Sequence, residues 1–130
     1  MIAKNRSESP IGVLVADDCD FIRRAVRQIL ESESSIKVVG EASTFVELLQ
    51  MVDMLNPPVV VTDLHMPDEQ NFDPQFLRIQ LLDSKVVAIS IWDDEETHAL
   101  AEKIGAIKLL DKSNLHAELI PAILHSYTGN

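Results

Sequence analysis

The stretch PPVVVTD at positions 57–63 places three consecutive valines directly before Thr62 and Asp63. An uninterrupted apolar run is typical of a strand in a parallel sheet, because helices cover such a sheet on both faces. The segment KVVAIS at positions 85–90 has the same character and ends on Ser90. The two segments therefore predict buried parallel strands that lead into polar side chains.

Three more apolar runs extend this pattern along the chain, with segments of helical periodicity between them. The five predicted strands are Ile11 to Ala16, Ile36 to Gly40, Val59 to Thr62, Val86 to Ser90 and Ala106 to Leu110. The predicted helices lie within positions 21–30, 45–55, 68–83, 93–104 and 114–127. Pro121 is difficult to place inside the last helix unless that helix begins late.

Strict alternation of strands and helices predicts an α/β fold with a doubly wound sheet of five parallel strands. By analogy with common sheets of this kind, we expect the flavodoxin-like strand order 2-1-3-4-5. Thr44 and Glu47 have the spacing of a capping box, and so do Asp93 and Glu96 within the acidic run 93–96. We interpret this run as a helix N-terminus rather than a second metal site.

Composition limits the classes of function. The 130 residues suit one domain, and we expect a flexible tail over residues 1–9 and a domain over residues 10–130. The 21 acidic residues and 11 lysines and arginines give a net charge of −10, which argues against direct binding to nucleic acid or to an anionic membrane. The lone cysteine, Cys19, and the absence of any signal-like or membrane-spanning apolar run favour a cytoplasmic protein.

Polar residues mark the ends of four predicted strands. Asp17 and Asp18 follow the first strand, Asp63 follows the third, Ser90 ends the fourth, and Lys112 follows the fifth within two residues. Ligands of an open α/β sheet bind at the carboxyl ends of its strands, so we expect these side chains to converge. Three converging carboxylates repel one another, and a hard divalent cation such as Mg²⁺ is the natural compensation.

Together these residues predict an aspartyl-phosphate site. The Asp63 carboxylate would attack a phosphoryl group, Mg²⁺ and Lys112 would neutralise its oxygens, and the Ser90 hydroxyl would bind one of them. Taken singly, the residues have ordinary explanations: Asp17 and Asp18 as helix caps, Asp63 as a turn residue and Lys112 as a surface lysine. Their joint occurrence at successive strand ends favours the phosphoryl-transfer interpretation.

The segments VLVADD, VVVTDLHMP, VVAIS and LLDKS, in this order and spacing, resemble the receiver domains of bacterial two-component response regulators. The resemblance covers about Pro10 to Tyr127, and the segment VVGEAST resembles the subfamily that carries a helix-turn-helix output domain. It implies the receiver fold and a signalling domain rather than an enzyme. Such a domain catalyses only its own phosphorylation and dephosphorylation.

The resemblance also implies a role for each residue of the site. Asp63 would be the phosphoacceptor, with Ser90 and Lys112 holding the phosphoryl group. Mg²⁺ would bind directly to Asp18, to Asp63 and to the backbone carbonyl of His65, and mainly through water to Asp17. A histidine kinase or phosphotransfer protein would supply the phosphoryl group, and the face over residues 93–127 would bind a second receiver or an output domain.

Several residues depart from the usual receiver pattern, and three of them motivate an alternative function. Ile91 and Trp92 follow the hydroxyl residue where a small residue is usual, and Leu109 replaces the aromatic residue of the family's conformational switch. These departures motivate an alternative, a degenerate receiver that acts as a phosphorylation-independent interaction module. An aspartate-nucleophile phosphatase would need a second aspartate where His65 stands, and a nucleotide-binding or flavin-binding domain would need a glycine-rich phosphate loop, so both are weaker rivals.

Overall fold

The structure, a computed structural model, describes residues 9–128 of the chain, so residues 1–8 of the predicted tail lie outside the described part. Five strands alternate with five helices. The strands are β1 (Ile11–Ala16), β2 (Ile36–Ala42), β3 (Val59–Asp63), β4 (Lys85–Ser90) and β5 (Ala106–Asp111). The helices are α1 (Asp20–Glu31), α2 (Phe45–Leu55), α3 (Pro74–Gln80), α4 (Glu95–Lys103) and α5 (Leu115–Thr128).

All five strands form one parallel sheet in the order β2-β1-β3-β4-β5, which confirms the predicted fold class and strand order. The chain starts inside the sheet with β1, moves to the adjacent edge with β2, and then crosses back over β1 to add β3, β4 and β5 on its other side. Strand order therefore reverses beside β1 and β3. This reversal opens the crevice at the carboxyl edge where ligands of such sheets bind.

Helices cover both faces of the sheet, as the uninterrupted apolar strands require. On one face, α1 and α5 pack against odd-numbered strand positions such as Val13, Val61 and Ile89. On the other face, α2, α3 and α4 pack against positions such as Leu14 and Val60. Because the apolar side chains of β1 and β3 are buried on both faces, these strands are rigid supports for the residues at their ends.

Local signals set the helix boundaries. Thr44 accepts a hydrogen bond from the backbone N–H of Glu47 at 3.1 Å, as its capping-box spacing predicts. Helix α2 ends on Asn56, which has a positive φ of 45° before the two prolines. Gly105, with φ of 83°, makes the turn from α4 into β5, a backbone conformation that costs glycine little.

Two expectations about helices are wrong in detail. The segment 68–83 forms a short 3₁₀ helix over Glu69–Asn71 before α3, because Pro74 starts the α-helix. The cap of α4 is Asp94, whose side chain accepts from the backbone N–H of Thr97, whereas Asp93 contacts His98. Helix α5 runs over Leu115–Thr128 with Pro121 inside it, close to the predicted span of 114–127.

Pro121 is accommodated because it lies on the exposed face of α5. The carbonyl four residues earlier, which loses its usual partner, belongs to exposed Ala117 and can be solvated. Meanwhile Leu119 and Ile123 are fully buried against the sheet and hold the helix in place. Among the described residues, no helix combines the length and the apolar character that crossing a membrane requires.

Candidate functional site

Buried polar side chains gather at the carboxyl edge of the sheet. The described residues include five buried polar side chains, and three of them are the sequence-predicted Asp17, Asp63 and Ser90. Asp17 follows β1, Asp63 ends β3 and Ser90 ends β4, so neighbouring strands bring them together. Burial of polar groups is costly unless they are paired, which makes this edge an exception within an otherwise apolar core.

Three carboxylates meet at this edge. One oxygen from each of Asp17, Asp18 and Asp63 lies within 4.8 Å of the others. Asp17 and Asp63 are buried, whereas Asp18 is exposed at the mouth of the cluster. This set of hard oxygen donors, open to solvent on one side, suits Mg²⁺, which keeps part of its hydration and needs few protein ligands.

Among the residues that the structure describes, Lys112 is the one basic group that contacts two of these carboxylates. Its Nζ lies 2.7 Å from Oδ2 of Asp17 and 3.2 Å from Oδ2 of Asp63. The side chain of Lys112 is only 10% exposed, so both ion pairs are shielded from water. Oδ2 of Asp17 accepts no well-directed hydrogen bond from the described residues, so its contact with Lys112 is a charge interaction that leaves a lone pair for a further ligand.

The electrostatics of the cluster are unbalanced. Burial raises the pKa of Asp63, and the Asp17 carboxylate raises it further, while Lys112 and the backbone N–H of His65 oppose the shift without cancelling it. Burial alone would lower the pKa of Lys112, but its close contact with Asp17 and the charges of both carboxylates leave that pKa raised. The metal-free site therefore disfavours a third negative charge and favours a cation.

The two aspartates after β1 do not act as helix caps. Cys19 is the N-cap residue of α1, and no side chain caps that helix. Instead Oδ1 of Asp17 accepts a hydrogen bond from the backbone N–H of Cys19 at 2.9 Å, which turns its carboxylate toward the cluster. The ordinary explanation of these residues as caps is therefore wrong.

The remaining predicted residues border the carboxylate cluster. The hydroxyl oxygen of Ser90 accepts from the backbone N–H of Trp92 at 2.9 Å. The backbone N–H of His65 donates to Oδ1 of Asp63 at 3.1 Å, and its imidazole contacts Glu69 at 3.0 Å. The side chains of Ile91 and Trp92 are 66% and 57% exposed, so both project into solvent beside the site.

Asp68 supports the loop after Asp63, and the sequence analysis did not identify it. Its two carboxylate oxygens accept from the backbone N–H groups of Phe45 at 2.9 Å and Val46 at 3.0 Å. These are free N–H groups at the start of α2, where a negative charge is stabilising. Asp68 thereby ties the loop between β3 and α3 to the first turn of a different helix.

We expect Asp68→Ala to lower the free energy of unfolding by about 1–2 kcal/mol, because it leaves two backbone donors of α2 without their charged acceptor. Urea denaturation measures this change. Asp68→Asn, which keeps one acceptor oxygen, should lose less than the alanine variant. Equal stability of Asp68→Ala and the wild type would show that the contact contributes nothing.

Comparison with known proteins agrees with this geometry. The family model described as the response regulator receiver domain matches residues 13–124. The nitrate/nitrite response regulator protein NarL of Escherichia coli K12 is 29% identical over 124 residues, which is 95% of this chain and 57% of NarL. The transcriptional regulatory protein LiaR of Bacillus subtilis is 33% identical over 122 residues, which is 92% of this chain and 57% of LiaR. The chain thus spans little more than half the length of these relatives.

A solved structure shares the fold over nearly the whole chain. The signal receiver domain of the response regulator NarL from Mycobacterium tuberculosis superposes with a TM-score of 0.83 at 27% identity. The match covers 95% of this chain and 100% of that domain. The unphosphorylated receiver domain of RcsB from Escherichia coli reaches the same TM-score at 19% identity, which supports the fold alone.

Proposed function

Since this chain belongs to the response regulator receiver domain family of two-component signalling, we propose that it is switched by accepting a phosphoryl group on Asp63. The observation that carries the proposal is the pairing of a buried acceptor carboxylate with a buried cation, Lys112 at 3.2 Å, beside two further aspartates. Such a carboxylate can act as a nucleophile toward phosphorus. The phosphoryl group added to Asp63 would carry negative charge, and Lys112 together with a cation at the carboxylates could neutralise that charge.

Each residue has a distinct part in the proposed transfer. Asp63 attacks the phosphorus of a phosphohistidine, the bond to the histidine nitrogen breaks, and an acyl phosphate forms on the aspartate. Lys112 pairs with the phosphoryl oxygens and the Ser90 hydroxyl donates to one of them. Because the Ser90 oxygen accepts from the backbone N–H of Trp92, its hydroxyl proton is available to donate to the phosphoryl group.

Receiver domains generally bind Mg²⁺ at an acidic pocket, and we assign that role here to Asp17, Asp18 and Asp63, with the backbone carbonyl of His65 as a further ligand. When bound, Mg²⁺ would neutralise charge on the transferring phosphoryl group. The unused lone pair on Oδ2 of Asp17 and the raised pKa of Asp63 support this assignment, since both favour the arrival of a cation.

Receiver domains interact with histidine kinases or phosphotransfer proteins, and we propose such a protein as the phosphoryl donor. The output would be a change in binding by the face formed by α4, β5 and α5, over residues 93–127, toward a second receiver or an output domain. Leu109, which replaces the usual aromatic switch residue, is partly buried in β5 against the apolar core. The relay through this strand therefore depends on aliphatic packing.

Intact mass spectrometry after incubation with Mg²⁺ and a small acyl phosphate tests the proposal. Wild type and the control Asp53→Asn, which changes an exposed aspartate on α2, should each gain one phosphoryl group. Asp63→Asn should gain none, and chelation of Mg²⁺ should prevent the adduct in every variant. An unmodified wild type would favour the alternative of a phosphorylation-independent interaction module.

A further inference from the structure

Arg23 connects three separate parts of the fold beneath the carboxylate cluster. Its Nη1 donates to the backbone carbonyl of Asp17 at 2.7 Å, its Nε to Glu41 on β2 at 3.0 Å, and its Nη2 to Asp20 at 2.6 Å. The side chain is only 18% exposed although it lies on the polar face of α1. A planar guanidinium can make these contacts together, because its donors point in fixed directions.

With the contact from Arg23, the backbone N–H, the backbone carbonyl and both carboxylate oxygens of Asp17 all have a partner in the fold. Its backbone N–H donates to the carbonyl of Ala42 at 3.0 Å, and its Oδ1 accepts from Cys19. Its Oδ2 pairs with Lys112, and its carbonyl accepts from Arg23. The peptide that joins Asp17 to Asp18 is therefore held by Arg23, and this peptide sets where the Asp18 backbone begins.

We propose that Arg23 is a positioning residue for the cation site and orients the Asp17–Asp18 peptide so that both carboxylates point toward Asp63. The inference rests on the proposed function, because it assumes that the cluster binds Mg²⁺. Residues that orient metal ligands typically change metal affinity by 10–100-fold when they are removed. Because Arg23 acts through a backbone carbonyl, its effect on affinity should lie at the lower end of that range.

Arg27 provides a matched comparison one turn further along α1. It also contacts Glu41, and it pairs with Glu31 at 2.9 Å, but none of its hydrogen bonds or ion pairs to the described residues reaches Asp17. Both arginines tie α1 to β2 by the same type of ion pair. A difference between their alanine variants therefore isolates the contact between Arg23 and the Asp17 carbonyl.

The test is a titration of the isotope-labelled 130-residue chain with MgCl₂, followed through backbone amide chemical shifts. The amide of Cys19 is a direct reporter because it donates to the Asp17 carboxylate. We expect Arg23→Ala to raise the Mg²⁺ Kd about tenfold and Arg27→Ala to leave it within about twofold. Arg23→Lys keeps the charge but loses the planar guanidinium with its fixed donor directions, so its Mg²⁺ Kd should lie between those of the two alanine variants.

Urea denaturation of the same variants in metal-free buffer separates positioning from general stability. A merely structural role would destabilise both alanine variants and leave both Kd values near that of the wild type, which would overturn the inference. If Arg23→Ala does not fold, the Kd of Arg23→Lys decides, and a value equal to the wild type overturns the inference. A wild type that binds no Mg²⁺ would overturn the proposed metal site together with this inference. If the wild type binds Mg²⁺ and Arg23→Ala has the same Mg²⁺ Kd, the inference alone is overturned.

Discussion

Lys112→Met is expected to lower the free energy of unfolding of the metal-free protein by about 3 kcal/mol or more at neutral pH, because it leaves two buried carboxylates without their cation. Asp17 is fully buried and the side chain of Asp63 is 9% exposed, so water cannot replace the lost ammonium group. Methionine has a similar length and flexibility, which keeps the loss of packing small. Urea denaturation in the presence of a chelator measures the effect.

Lys108→Met is the matched control for this experiment. Lys108 lies on β5, and it is exposed. Its replacement should change the free energy of unfolding by no more than about 0.5 kcal/mol. If both lysine variants lose the same small amount, the ion pairs of Lys112 with Asp17 and Asp63 do not hold the site together.

The pH dependence of the Lys112 effect has a definite sign. The pKa of Lys112 is raised above its ordinary value of 10.5 by its carboxylate partners, despite the opposing effect of burial. A raised pKa means that the stabilisation is fully present below pH 10.5 and is lost as the pH rises through the higher folded value. The difference between wild type and Lys112→Met should therefore persist through neutral pH and shrink in strong alkali.

Asp63→Asn is expected to act in the opposite direction on the metal-free protein and to raise its free energy of unfolding. The pKa of Asp63 is raised by burial and by Asp17, so the fold disfavours its charged form even with Lys112 nearby. Asparagine has nearly the same shape without the charge. Asp63 would then lower the stability of the unphosphorylated domain while supplying the carboxylate that the phosphoryl transfer needs.

The stabilisation by Asp63→Asn should depend on pH and on Mg²⁺. Because the folded pKa of Asp63 is raised, its favourable contribution is fully present below the ordinary value of 3.8 and is lost as the pH rises through the folded value. The advantage of the variant should therefore be small in acid and reach its full size at neutral pH.

Thermal or urea unfolding across this pH range, with and without MgCl₂, provides the measurement. Mg²⁺ at 100 times its Kd would stabilise the wild type by about 2.7 kcal/mol and should stabilise Asp63→Asn much less. The control Asp53→Asn should respond to Mg²⁺ as the wild type does. A metal-free Asp63→Asn that is less stable than the wild type would show that the attraction of Lys112 outweighs the cost of burying the carboxylate.

The amino-acid sequence by itself determined the five strands, the approximate positions of the helices and the residues at the strand ends. An uninterrupted apolar run such as Val59–Val61 indicates a strand that is buried on both faces. Because predicted strands alternate with predicted helices, few connections of a parallel sheet are possible. Because the carboxyl ends of parallel strands share one edge, Asp17, Asp63 and Ser90 could be grouped without coordinates. Their chemical roles remain proposals.

Tertiary structure alone decided the contacts that hold this edge together. The charge of Arg23 and its place on the polar face of α1 predict an exposed side chain, and nothing in its neighbours along the chain indicates the carbonyl that it reaches. Asp68 likewise reads as an ordinary loop residue, although its partners lie 22 and 23 positions earlier. Periodicity reports which face of an element is buried, whereas hydrogen bonds between elements depend on distances and directions that exist only after the sheet and helices have packed.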